Sequence, residues 1–495
     1  MTQPNPPSIL VAGAGISGLS AAYALLRERP DINLRVVEAQ NRAGGNIQTF
    51  REQGFLIDAG PDSFLRTKAD TAALCRELGL GDDLISPSAK ARTALIAHKG
   101  KLMPMPAGIA LAVPTRVGPM IRTPLLSWMG KLRVLGDLFV PKPSGEQGDE
   151  TVATFLARHV GRQATENIVG PLLGGIFAGD IDELSIVSTF PQLVDLERRH
   201  GSLIRAFFDI ERARAVQDKG AQRVSVAADD QLYPPDLFDF IRWLYRQERQ
   251  AESPHQSLRG GMGQLVEALQ SRLPAGCLRC GVALRGLERV ADGRWRAHLG
   301  DETSLDVDAA ILCLPANAAA SVIADAALSS ELASIPYVAS APVHFALDEK
   351  QLSRPLDAAG YMVPRSEGRA FASSWTSTKW AGRAPSGSAL VRISLGGARE
   401  PKLMTHSSES DLAALAQEEL ERMIGPVGTP LFVRVFKYLR PQPIVGTSAR
   451  LARVATRLVD LPGIALSSSA FGGTGIADCI RLAQSAARRI LDYTR

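Results

Sequence analysis

Residues 9–18 read Ile-Leu-Val-Ala-Gly-Ala-Gly-Ile-Ser-Gly, a buried apolar run that breaks into glycines at positions 13, 15 and 18. That spacing suits a turn that cradles a dinucleotide. Gly13 permits the tight turn, Gly15 admits a pyrophosphate close to the backbone, and Gly18 lets the next helix pack on the strand. Ala14, Ile16 and Ser17 complete the turn, and the unpaired N–H groups of the helix start face phosphate oxygens. The helix shows in Leu19, Ala22, Tyr23 and Leu26, an i, i+3, i+4, i+7 stripe. Residues 34–38 form a second strand ending in Glu38, whose carboxylate suits a ribose hydroxyl.

Ala39, Arg42, Gly44, Gly45 and Asn46 follow, offering a second stretch of bare backbone to a long, extended cofactor. This run resembles the E-x-x-x-R-x-G-G signature of the flavin amine oxidase superfamily. Near the other end, residues 471–480 hold another glycine turn, with Thr474, Gly475 and Ile476 opening a helix striped by Ile480, Ala483, Ala487 and Ile490. Two glycine-rich helix starts at opposite ends of the chain suit FAD better than NAD. No second complete Gly-x-Gly-x-x-Gly unit is present, so a nicotinamide site is not indicated. Electrons must then come from the substrate and leave to oxygen or a diffusible acceptor.

With 495 residues, 45% of them hydrophobic, the chain can bury large cores in two or three domains. Five cysteines without framework spacing point to a reducing, intracellular compartment. Cys277 and Cys280 lack the second ligand pair of a zinc site and the strand-to-helix placement of a redox site, and the dispersed histidines give no metal spacing. Neither a signal peptide nor a spanning segment is read, so the expected location is the cytoplasm. Net charge is +5, yet residues 84–136 contain no Asp or Glu, and their many Lys and Arg are interleaved with apolar residues such as Met103, Met120, Leu125 and Trp128. Such a segment fits a pocket for an apolar substrate with carboxylate arms, peripheral contact with an anionic membrane at its inner face, or an ordinary helical subdomain with a solvated basic face. Nucleic acid is excluded, because no binding module accompanies the charge.

The expected fold class is α/β: a discontinuous Rossmann-like FAD-binding domain with a mixed-sheet substrate domain and a helical insertion. Residues 1–89, 254–315 and 441–495 would form the FAD-binding domain, 90–210 a helical domain facing substrate or membrane, and 211–253 with 316–440 the substrate-binding domain. Residues 217–231 read as a surface loop.

Several further motifs resemble the FAD-dependent protoporphyrinogen oxidase family, which includes the bacterial coproporphyrinogen III oxidases. They are residues 58–65 (Asp-Ala-Gly-Pro-Asp-Ser-Phe-Leu), 174–180 (Gly-Gly-Ile-Phe-Ala-Gly-Asp), 258–262 (Leu-Arg-Gly-Gly-Met) and 475–480. Ser468 departs from the pattern, standing where the family usually has glycine. The resemblance implies a six-electron oxidation of a porphyrinogen to a porphyrin, with molecular oxygen reduced to hydrogen peroxide, and it allows a homodimer. It adds Gly60, Pro61, Asp62, Ser63 and the Val282 backbone to the cofactor contacts. No side chain is assigned a catalytic role, since the flavin carries the chemistry. Arg92 matches the position where the family sets an arginine against a propionate, with a solvated surface arginine as the other reading. Lys68 is a second cationic candidate. Gly174 and Gly175 would let the flat macrocycle lie on backbone, and Phe177 either stacks on it or packs in the core. Residues 374–380 (Ser-Trp-Thr-Ser-Thr-Lys-Trp) suggest the coproporphyrinogen-oxidising branch, whose substrate has four carboxylates instead of two. Another flavin oxidase or desaturase of this fold, or a non-catalytic GDI-like binding protein, remains open.

Overall fold

A computed structural model describes residues 6–110, 113–114, 117–145, 148–207, 209, 255–473 and 475–495. The side chain of Arg92, the whole of Thr474 and the expected loop at 217–231 lie outside the described residues.

Five parallel strands build the first sheet, in the order Leu278–Cys280, Asn33–Glu38, Ser8–Ala12, Ala309–Leu312 and Ile464–Leu466. Cys280 is thus inside an edge strand, not ahead of one. Because alternate side chains point to opposite faces, one apolar run supplies two cores. Ile9, Val11, Val36 and Ile311 pack under the helices Ile16–Glu28, Gly263–Gln270 and Ile476–Tyr493. Leu10, Ala12, Val37 and Leu312 meet a three-stranded meander (Leu284–Arg289, Trp295–Leu299, Ser304–Val307) and the helices Ala316–Val322 and Ala326–Ala333. Residues 316–333 therefore belong with this sheet rather than with the substrate domain expected for them: their apolar stripe, Ala319, Leu328 and Leu332, is spent on it.

The second sheet is mixed. Its strands run Phe432–Val435, Tyr337–Asp348, Ser388–Gly396, Ala372–Ser374, Gly360–Met362, Leu95–His98 and Lys101–Pro104, with Tyr438–Pro441 also paired to Tyr337–Asp348. Only the pairing of Gly360–Met362 with Leu95–His98 is parallel among these. The last two strands of the order fall inside the stretch expected to be helical. They form a hairpin closed by Lys99 and Gly100, both at positive φ (52° and 70°) as a two-residue turn requires. Leu95, Ile96 and Ala97 are all buried, so the run shows no alternation to betray a strand.

One face of this sheet, through Val343, Phe345, Val391 and Ile393, buries the helix Glu409–Ile424. Its other face turns to the cofactor side, where Ala346 and Leu390 pack on Phe55 and Ile57 of the hairpin Thr49–Glu52 and Phe55–Asp58. The helices Val152–Val160, Gly170–Phe177 and Pro191–His200 share a third core around Phe155, Leu156, Leu173 and Leu193. Thr151 caps the first of them by accepting from Thr154 N at 3.1 Å. Inside this core lies a charged knot: His159, fully buried, meets Asp137 at 2.5 Å through Nδ1 and Glu197 at 3.1 Å through Nε2. No helix among the described residues is long and apolar enough to cross a membrane.

Candidate active site

Steric limits explain the first glycine turn. Gly13 sits at φ +95°, and a Cβ there would lie 2.6 Å from the Cys313 carbonyl oxygen. One on Gly18 would lie 1.8 Å from the Gly13 carbonyl oxygen, so both glycines are demanded by the protein's own packing. Gly15 differs: the nearest atom to an added Cβ is Gly45 Cα, 3.9 Å away. Nothing among the described residues fills that space, which is the condition for a ligand to use it. Gly44 N donates to Ala14 O at 2.8 Å and Gly13 N to Val37 O at 2.7 Å, locking the two glycine loops side by side. Neither the helix Ile16–Glu28 nor the helix Ile476–Tyr493 has a side-chain cap at its first turn. Each helix follows a parallel strand, so both positive helix starts open at the carboxyl edge of the sheet. The residues present fit an extended, anionic dinucleotide.

Glu38 also braces the loop, since its Oε2 accepts from Ala14 N at 2.7 Å and its Oε1 from Gln40 N at 2.8 Å. Each oxygen keeps a lone pair for a further donor. Val282 spends its N–H on Glu38 O at 2.8 Å, leaving its carbonyl for any ligand contact. Arg42 donates to Ala43 O at 3.2 Å and Gly45 O at 2.9 Å, holding the second glycine pair, while Ala39 and Asn46 are exposed beside it. Lys68 corrects the expectation of a cation awaiting substrate: its ammonium is 2.6 Å from Asp478 Oδ2, at the start of the C-terminal helix. Ser468 is in extended backbone (φ −155°), a conformation that does not require glycine.

Asp62, in the loop of Gly60, Pro61 and Ser63, is the centre of a buried charge cluster that the motif alone did not foretell. Its carboxylate lies 3.3 Å from Lys379 Nζ and 3.7 Å from Arg392, and accepts from Ser63 Oγ at 2.8 Å and Trp380 Nε1 at 3.3 Å. Burial opposes its ionisation, but Lys379 and then Arg392 outweigh that and hold it far below the ordinary carboxylate range. Lys379 is pushed down from its usual value by the same burial, with Asp62 opposing. Ser88 N donates to Lys379 O at 3.0 Å, so the short 3₁₀ turn Ala89–Arg92 is tied to this cluster through its backbone.

The cofactor-facing side of the mixed sheet supplies more. Register sets Arg392 opposite His344, Tyr438 opposite Ser340, and Arg440 opposite Val338. Residues 338, 340 and 344 alternate onto one face, so all these side chains share it. Arg392 donates to Gly60 O at 3.1 Å, and the tip of Tyr438 lies 3.8 Å from where a Gly60 Cβ would be. Burial raises the Tyr438 hydroxyl to about 12, and burial with the nearby Arg392 lowers Arg440 to about 10. Burial also keeps His344 neutral, pushed down to about 3.

Opposite stands the helix Gly170–Phe177. Gly174 is buried, yet an added Cβ would meet nothing within 4 Å; at Gly175 it would meet only Ala372 Cβ at 3.8 Å. Among the described residues, open space therefore lies against the Gly174 backbone, and Gly175 packs on the mixed sheet. Phe177 packs edge-on to Phe190, with centroids 6.2 Å apart at 87°, inside the helical core, which is the plainer of its two expected roles. The acid-free stretch divides: Met120, Leu125 and Leu126 enter that core, whereas Trp128, Met129 and Leu132 are exposed, with Phe139 just beyond the stretch exposed as well.

A family model for flavin-containing amine oxidoreductases matches residues 16–491. The coproporphyrinogen III oxidase of Bacillus subtilis (strain 168) is 30% identical over 493 residues, covering 98% of each chain. That of Propionibacterium freudenreichii is 32% identical over 495 residues, covering 98% of this chain and 90% of the other. A crystal structure from Exiguobacterium sp. 255-15, named for protoporphyrinogen oxidation, superposes with a TM-score of 0.80 at 28% identity and 98% coverage of each. With glycine loops, uncapped helix starts and a full-length match all in agreement, this chain belongs to the flavin-containing amine oxidoreductases, among the porphyrinogen oxidases.

Proposed function

We propose that this chain oxidises a porphyrinogen to a porphyrin in haem biosynthesis with FAD as its cofactor, and that the substrate is coproporphyrinogen III. The observation that carries the reading is the open space against the Gly174 backbone, on a helix that Arg440 reaches at Ile176 O from a sheet face also bearing Arg392 and Tyr438. A broad macrocycle with carboxylate arms matches both the bare backbone and the cations. Full-length identity of 30% and 32% to relatives named coproporphyrinogen III oxidases supports the four-carboxylate substrate.

Bound FAD would supply two-electron redox chemistry, each of three rounds removing a hydride equivalent and a proton from the macrocycle with oxygen as the final acceptor. The chain's own residues position and insulate. Amides at the starts of the helices Ile16–Glu28 and Ile476–Tyr493 would hold the negative pyrophosphate and favour negative charge on the reduced ring system. Lys379, Asp62 and Arg392 carry a net positive charge in a nearly dry setting, so they retain their geometry without water. Gly174 and Gly175 admit the ring, and Arg92 is assigned to a propionate. Such positioning is what hydride transfer asks of a protein.

The test is anaerobic mixing of the purified holoprotein with coproporphyrinogen III or protoporphyrinogen IX, then admission of air while porphyrin fluorescence is followed. Coproporphyrin III should appear faster than in an enzyme-free control. No acceleration with either compound overturns the porphyrinogen reading, and a colourless protein without flavin absorbance overturns the cofactor reading as well.

A further inference from the structure

Arg440 is half-buried on the strand Tyr438–Pro441, two residues from Tyr438 and on the same face. Tyr438 reaches the cofactor loop at Gly60, and Arg440 reaches the opposite wall, where its NH1 donates to the Ile176 carbonyl at 3.2 Å in a contact open to solvent. The strand thus reaches the cofactor loop through Tyr438 and the helix of Gly174 and Gly175 through Arg440. Its charge is not answered there. One carbonyl takes one of the five N–H donors of a guanidinium, and Arg440 has no carboxylate within ion-pair distance among the described residues. Its cationic neighbours are already engaged: Arg392 with Asp62 and Gly60 O, Lys379 with Asp62. On the same face, Ser340 is 1% exposed and its hydroxyl lacks a partner, a further polar group awaiting one.

A half-buried cation beside the open space at Gly174, lacking a counter-charge among the described residues, is built for an anion that arrives with the ligand. We propose that Arg440 binds a side-chain carboxylate of the tetrapyrrole and thereby selects the four-carboxylate macrocycle over the two-carboxylate one. This rests on the porphyrinogen reading above and names a determinant of its specificity.

The experiment compares wild type with Arg440→Met, which keeps length and apolar bulk, and Arg440→Lys, which keeps the charge but not the fork. For each, KM and kcat are measured with coproporphyrinogen III and protoporphyrinogen IX, with the flavin reduction potential as a second readout. Arg440→Met should raise KM for coproporphyrinogen III about tenfold or more, the worth of a charge-assisted pair. The rise for protoporphyrinogen IX should be under about threefold, and the loss should appear in KM rather than kcat. Arg440→Lys should recover part of it. Equal KM changes for both substrates, or a fall in kcat with a shifted flavin potential, overturn the proposal, the second outcome assigning Arg440 to the cofactor. If Arg440→Met does not fold, Arg440→Lys decides: a KM for coproporphyrinogen III equal to wild type overturns it. Inactive wild type with both substrates instead brings down the porphyrinogen reading itself.

Discussion

Gly15 and Gly18 stand three residues apart in one turn, yet the structure separates their duties. Gly18 is required by the fold, because a methyl group there would lie 1.8 Å from Gly13 O, whereas Gly15 faces space that only a ligand fills. Gly18→Ala should therefore destabilise by about 1–3 kcal/mol or more through overpacking, outweighing the ~1 kcal/mol that Ala ordinarily adds within a helix. Gly15→Ala should cost at most about 1 kcal/mol as a poorer helix cap, while flavin occupancy falls at least tenfold by our reading. Thermal unfolding of the apoprotein and the ratio of flavin to protein absorbance measure the two effects. Full flavin occupancy in Gly15→Ala would remove Gly15 from the cofactor path. These glycines were legible in the sequence because a tight turn and close backbone approach are local demands that only one residue type meets. Lys379 lay within the 374–380 motif but was given no role, and Arg392, Tyr438 and Arg440 were not singled out: each is an ordinary polar residue in a strand, and only pairing across long stretches of chain brings those three to one face.

At the scale of elements, a single ring joins three pieces of the helical region. His159 ends the helix Val152–Val160, Asp137 lies in the turn Gly136–Phe139, and Glu197 comes from the helix Pro191–His200. The stripe Phe155, Leu156, His159 and Val160 marks the histidine as inward-facing from sequence, but neither carboxylate partner is implied by spacing. Burial works to lower the His159 pKa, and the hydrogen bonds to Asp137 and Glu197 outweigh it, so the imidazole is raised above its ordinary value of 6.5. Asp137 is lowered in turn, against its own burial, chiefly by His159. The sign follows. A raised histidine gives its full stability below pH 6.5 and loses it as pH rises through the folded-state value, at most about 1.4 kcal/mol per pH unit. The lowered Asp137 contributes above 3.8 and is lost only as pH falls further. Hence the difference in unfolding free energy between wild type and His159→Gln should be greatest between about pH 5 and 6.5 and shrink toward pH 9. Denaturant unfolding at several pH values reads it, and a gap that stays constant with pH would refute the charged knot.

For the molecule as a whole, the question is what makes the cofactor sheet and the mixed sheet behave as one body. Apolar packing of Phe55 and Ile57 on Ala346 and Leu390 and the Asp62 cluster supply part of the join, and Arg383 adds a further buried contact. This arginine is wholly buried, 3.2 Å from Asp58 Oδ2, and donates to Arg259 O at 2.9 Å and Leu258 O at 2.9 Å. Asp58 in turn receives Thr49 Oγ1 at 2.6 Å and Met262 N at 2.9 Å, so one ion pair pins the hairpin, the 257–263 segment and the chain just beyond Lys379. Removing one partner of such a pair strands a buried charge, which costs about 3–5 kcal/mol, whereas replacing both with apolar groups is often close to neutral. Arg383→Met should accordingly lower stability by about that amount, and Arg383→Met with Asp58→Leu should recover part of it. Trp375 and Trp380, both fully buried on the mixed-sheet side, report that half by fluorescence once Trp128, Trp243 and Trp295 are replaced with Phe, and flavin release reports the other. If the pair couples the halves, both signals shift together to lower denaturant in Arg383→Met and remain coincident. Two separated transitions, or a shift in the tryptophan signal with flavin release unmoved, would show that the halves hold their folds independently and that the catalytic cleft is not kept in register by this contact.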